Sequence, residues 1–190
     1  MTDLPFPLSG STLVTGPSNA GKTRLTAAAL DAWVDANGPE GVVVIDFAPV
    51  VERDGDVLGG RLTQFTSVPD DAWYGVLEAH APRAEGADEA AALALARDNA
   101  ARAARLLDAA PDPRAAFVND ATIPYQADGD PSPLTAYCDR AGVAVLNAFD
   151  SDELGDDDPV SRGDRAALAA LDAWADRRVR LDGDPEPPDI

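Results

Sequence analysis

The sequence predicts an α/β fold: a doubly wound, mostly parallel sheet with helices on both faces. Three observations carry that expectation. Gly41–Phe47 and Val143–Phe149 are unbroken apolar runs, the pattern of strands covered on both sides. Alanine-rich stretches of helical length separate these runs, and strands alternating with helices build such sheets. The chain has 190 residues, 45% of them apolar, which suits one domain with a full core.

The elements follow in order. Ser11–Thr15 reads as a short strand. Lys22–Ala36 reads as a helix, ended by Asn37-Gly38-Pro39 because proline cannot continue it. Gly41–Phe47 is the second strand, and Ala48–Gly60, with Pro, Gly and charges, reads as a loop. Arg61–Thr66 is expected as a short strand and Pro69–Ala79 as a helix, broken by Ala81-Pro82-Arg83. Ala87–Ala110 reads as a long helix ended by Pro111, Ala115–Asn119 as a strand, and Asp120–Pro133 as a polar loop. Leu134–Ala141 is a short helix and Val143–Phe149 a strand. After the acidic loop Asp150–Pro159, Gly163–Arg177 forms a helix with Leu168, Leu171 and Trp174 on one face. Arg178–Leu181 is a last short strand. No repeat or internal boundary appears, so residues 1–182 are expected as one domain and 183–190, with three prolines, as a frayed tail.

Composition excludes several classes. One cysteine, Cys138, rules out an intrachain disulfide, and one histidine, His80, rules out His-pair metal motifs. No apolar run approaches the ~20 residues of a membrane span, and Met1–Ser9 lacks a basic leader, so a cytoplasmic protein without a membrane partner is expected. The formal charge is −19: 27 Asp and 7 Glu against 14 Arg and a single Lys, Lys22. These acids run the whole length of the chain, in a pattern similar to haloarchaeal proteomes, where salt screens the repulsion. The same charge disfavours nucleic acid as a partner.

One segment carries chemistry. Gly16-Pro17-Ser18-Asn19-Ala20-Gly21-Lys22-Thr23 matches G-x-x-x-x-G-K-[ST], directly after an expected strand and opening an expected helix. Glycines let successive N–H groups curl around a phosphate, and the helix N-terminus adds its positive dipole end. The lysine ammonium then meets the β- and γ-phosphates and the threonine hydroxyl ligates Mg²⁺. Gly16, Ser18, Asn19, Ala20, Gly21, Lys22, Thr23 and Arg24 are therefore the expected nucleotide contacts. That the only lysine of the chain falls here supports the assignment, since arginine's planar fork does not replace a point charge.

On these residues the chain resembles the P-loop NTPase superfamily, over about residues 11–47. The resemblance implies a second acid, at the end of a buried strand, that holds Mg²⁺. Asp46, after Val42-Val43-Val44-Ile45, and Asp120, after Ala116-Phe117-Val118-Asn119, are the two candidates. Val44–Ala48 looks like the second strand of RecA-like ATPases and Phe117–Thr122 like their later, metal-bearing strand. Asn119–Thr122 is more loosely similar to adenosylcobinamide kinases. Asp120 is favoured for the metal, with Asp46 close behind, so Lys22, Asp120 and Asp46 form the expected catalytic set and Thr23, Asp120 and Asp46 the metal set.

The chain departs from these families too. Ala48-Pro49 stands where RecA-like enzymes carry a catalytic Glu, and no Glu follows Asp120. His80 is the one candidate for the histidine of the adenosylcobinamide kinases, in a different context, against an ordinary surface role. A guanine-reading N-K-x-D motif needs a second lysine, so ATP is expected over GTP. Arg83, Arg162 and Arg165 are candidates to meet the transferring phosphate; Trp33, Trp73, Trp174 or Tyr125 could stack the base. The expected function is Mg-ATP binding with hydrolysis or transfer of the γ-phosphate; the alternative is a slow or non-catalytic nucleotide switch. The acceptor, any protein partner and the oligomeric state are not written in the sequence.

Overall fold

The computed structural model describes residues 4–49, 51–53, 56–58, 60–151 and 157–182; the expected tail, 183–190, lies outside them. Six strands form one sheet: β1 (Gly10–Gly16), β2 (Val42–Asp46), β5 (Trp73–Val76), β6 (Ala115–Asn119), β7 (Val143–Phe149) and β8 (Arg177–Arg180). Their order is β5-β2-β6-β7-β1-β8 and every pairing is parallel. The two remaining strands, β3 (Val51–Arg53) and β4 (Asp56–Leu58), pair antiparallel in a separate hairpin.

The strand alternation sorts the core into two halves. Leu13, Val43, Ile45, Ala116, Val118, Ala144 and Leu146 face one side. There they meet the helices α3 (Glu89–Ala109), α4 (Ser132–Cys138) and α5 (Pro159–Trp174). Val14, Val42, Val44, Ala115, Phe117, Val143 and Val145 face the other side, against α1 (Lys22–Asn37), Phe6 and Leu62. Neighbours in sequence thus pack on opposite faces, as a pleat of period two requires. The result is the three-layered, doubly wound arrangement expected, consistent with a P-loop fold.

Two elements differ from the sequence expectation. Residues 61–66 contain a single 3₁₀ turn, Leu62–Gln64, and no strand. Residues 69–79 contain β5, not a helix. Pro69-Asp70-Asp71 imitates a helix start, but Trp73-Tyr74-Gly75-Val76 docks on the free edge of β2, where edge pairing and aromatic packing outweigh local propensity. The expected loop 48–60 carries the hairpin, and a short helix, α2 (Pro82–Glu85), follows the break at Ala81. Helix α5 begins at Pro159, four residues before its expected start, because Asp158 caps it by accepting from Ser161 N at 3.0 Å. Among the described residues no helix is long and apolar enough to cross a membrane.

Candidate functional site

The site lies at the carboxyl ends of β1, β2, β6 and β7, where open parallel sheets gather ligand sites. Strand β1 delivers the chain to Gly16, whose Cα packs directly on the Leu181 carbonyl; a Cβ would collide with it. The loop then turns with Asn19 at φ 59° and Gly21 at φ 89°. A Cβ on Gly21 would meet nothing within 4 Å, so the glycine serves the left-handed backbone and faces open space. Helix α1 starts at Lys22 with no side-chain cap. The first amides of an α-helix have no intrahelical acceptor, so this end of α1 offers donors and partial positive charge.

Lys22 is buried. Its Nζ donates to Pro17 O at 2.6 Å and lies 5.8 Å from the centroid of the Phe149 ring. Thr23 Oγ1 donates to Asn119 Oδ1 at 3.1 Å. With its proton directed at Asn119, the hydroxyl oxygen keeps its lone pairs for a cation. Ser18 is exposed on the loop, and Ala20 N closes a turn on Pro17 O. The Arg24 guanidinium sits 5.3 Å over the Phe65 ring, so its charge is directed to that ring.

The two acids differ sharply. Asp46 is fully buried, with three donors on its carboxylate: Leu62 N at 3.0 Å and Tyr74 Oη at 2.8 Å on Oδ2, and Asn119 Nδ2 at 2.6 Å on Oδ1. Burial, reinforced by Asp46, pushes the Tyr74 hydroxyl up to about 12, so it stays a donor. Asp120 is partly buried, sits at φ 54°, and its carboxylate accepts no hydrogen bond among the described residues. Burial pushes its pKa up to about 6; the Lys22 ammonium opposes that rise, and Asp46 and Asp164 add to it. Among the described residues Asn19 and Asp120 are the non-glycine residues with positive φ, and both stand at this site. Such backbone persists where the surroundings enforce it, often at functional sites.

A polar network missed at the level of sequence links these groups. Asn119 Nδ2 donates to Asp46 and to Gly60 O at 2.7 Å, which orients its Oδ1 toward Thr23 and toward Asn147 Nδ2 at 2.9 Å. Asn147 also donates to Thr26 Oγ1 at 3.0 Å and accepts from Asp120 N at 3.0 Å. Both asparagines are completely buried in central strands. A signal existed: a polar residue inside the apolar run Val143–Phe149 must find partners or be costly. Asp164, on α5, was missed as well. It is 6% exposed, accepts from Gln126 Nε2 at 3.2 Å, and burial raises its pKa against the opposing charge of Arg83.

The other candidates make their contacts outside the loop itself. His80 sits between Glu85 (3.2 Å) and Asp98 (3.1 Å), and its backbone is clamped by Asn99 of α3. Arg83 donates to Ser161 Oγ at 3.1 Å, and Arg162 bonds the Asp157 carbonyl. Arg165 lines a cleft together with Phe149. Trp33, Trp73 and Trp174 pack against the core halves, and Tyr125 belongs to the core. Among the described residues no three acidic, His or Cys side chains form a metal cage. The Thr23 hydroxyl and the Asp120 carboxylate suit a cation that keeps waters and leans on substrate phosphates, as Mg²⁺ does. No family model matches the chain, and no curated protein matches it.

Proposed function

We propose that the protein binds a Mg-nucleotide, ATP over GTP, and acts on its γ-phosphate. The observation that carries this reading is the uncapped start of α1 behind an open, left-handed Gly21, with Lys22 and the unbonded Asp120 carboxylate at the same sheet edge. Amides of residues 19–23 cradle phosphate, and Lys22 leaves Pro17 O for the β- and γ-oxygens. Thr23 and Asp120 hold Mg²⁺, the latter through water. Bound Mg²⁺ would neutralise charge on the phosphates and the leaving group. Asp46 acts at one remove: it orients Asn119, which takes the Thr23 proton.

Lys22→Ala tests the reading. Its ammonium donates to the loop carbonyl Pro17 O and belongs to neither core half, so the variant still folds, as a melting curve checks. Nucleotide affinity falls about tenfold to a hundredfold, the worth of a charge-assisted hydrogen bond. Unchanged ATP affinity in calorimetry would sink the proposal. The second reading, a slow switch, is favoured by one feature: Ala48-Pro49 and Asp120-Ala121 place no glutamate after β2 or β6 to activate water. Tight Mg-ATP binding with neither phosphate release nor transfer to any acceptor would support it.

A further inference from the structure

Beside the phosphate loop lies a cleft of about 200 Å³ lined by Phe149, Asp150, Ser151, Asp164, Arg165 and Leu168. Its walls are the end of β7 and the first turns of α5. Phe149 belongs to both sites, because the Lys22 ammonium stands 5.8 Å from the centroid of its ring. A molecule in the cleft is therefore a neighbour of whatever Lys22 holds. The volume is below the 300–1,000 Å³ of pockets for drug-sized ligands, so the occupant is small.

The lining states what that molecule offers. Asp150 is already paired with Arg178 at 2.6 Å. Asp164 is buried, and the hydrogen bond from Gln126 Nε2 leaves acceptor capacity on a carboxylate with about four lone-pair sites. A cleft-lining carboxylate with acceptor sites to spare suits an O–H donor. Phe149 and Leu168 supply apolar walls for a carbon skeleton.

We propose that this cleft seats the phosphoryl acceptor, a small polyhydroxyl compound whose reacting hydroxyl donates to Asp164. The inference rests on the Mg-nucleotide reading above. In the step, the acceptor oxygen bonds to the γ-phosphorus while the bond from that phosphorus to the β–γ bridging oxygen breaks. The electron pair leaves on the nucleoside diphosphate, and the hydroxyl proton passes to the Asp164 carboxylate.

Saturation-transfer NMR on the full chain, in molar KCl with Mg²⁺ and a non-hydrolysable ATP analogue, tests it with glycerol, D-ribose and myo-inositol as probes. Nucleotide affinity is measured on the same samples, and melting curves establish that each variant is folded. At least one probe gives a signal, which Leu168→Trp abolishes by filling the cleft. Asp164→Asn weakens it about tenfold or more, as loss of a charged acceptor should. If no probe binds, or if both folded variants bind as the parent does, the cleft is not the acceptor seat, and nucleotide affinity on its own then keeps the Mg-nucleotide reading. If a probe binds but nucleotide does not, the phosphoryl role of the cleft is overturned along with that reading.

Discussion

Asp120→Asn should make the ligand-free protein more stable and its Mg-nucleotide complex weaker. Asp120 has a folded pKa near 6 against an ordinary 3.8, so the folded state holds its proton more tightly than the unfolded state. Between those values the folded chain binds more protons, and stability falls as pH rises. Below the ordinary value both states are protonated and the group costs nothing; above about pH 6 the full penalty applies. At 1.36 kcal/mol per unit, the shift amounts to at most about 3 kcal/mol. Asparagine removes that penalty and accepts the φ of 54° as readily as aspartate. For a domain of this size the gain is at most about 6–12 °C in melting temperature at pH 8, shrinking toward zero near pH 4. Measurements in molar KCl keep general charge repulsion out of the comparison. In the same variant, Mg-ATP affinity falls while affinity for metal-free nucleotide in EDTA does not, because the lost group meets the cation. A variant less stable than the parent at pH 8, or one whose nucleotide affinity drops equally with and without Mg²⁺, would refute this assignment of Asp120.

Asp46→Asn has the opposite signature. Its new amide must face a donor, either Asn119 Nδ2 or the Leu62 and Tyr74 pair, so stability falls by about 1–3 kcal/mol, equally with and without Mg²⁺. If Asn119 flips to relieve the clash, it turns its Nδ2 toward Asn147 Nδ2 and Thr23 loses its acceptor, so Mg-nucleotide binding weakens in calorimetry, by less than in Asp120→Asn. A Mg²⁺-linked loss in Asp46→Asn larger than that in Asp120→Asn would transfer the metal to β2. His80→Ala, remote from the loop, leaves nucleotide affinity unchanged and costs under about 1 kcal/mol, as exposed ion pairs do. Finally, with a formal charge of −19, the melting temperature should climb as KCl rises from millimolar to molar; a flat curve in calorimetry would remove the halophilic reading.

The turn at Gly16–Thr23 was legible because its turn chemistry is local. Gly16–Thr23 encodes its own turn, and the apolar runs before and after it declare buried strands without reference to partners. The same holds for α1, α3 and the alternation that makes the sheet parallel. Residues 69–79 were misread since their fate depends on an edge of β2 that exists only after the sheet has formed. The choice between Asp46 and Asp120 was equally out of reach. Both end apolar runs, and only the folded chain brings Leu62, Tyr74 and Asn119 onto one carboxylate while leaving the other without a donor. Asn119 and Asn147 acquire roles by pairing across strands 28 residues apart. Asp164 reaches the site from α5. Sequence by itself determined the buried strands, the long helices and the loop, because hydrophobic period and turn chemistry act over a few residues. The tertiary structure alone decided which acid is spent on the core and which keeps its carboxylate free of donors among the described residues, because hydrogen bonds are shared among residues that meet only in space.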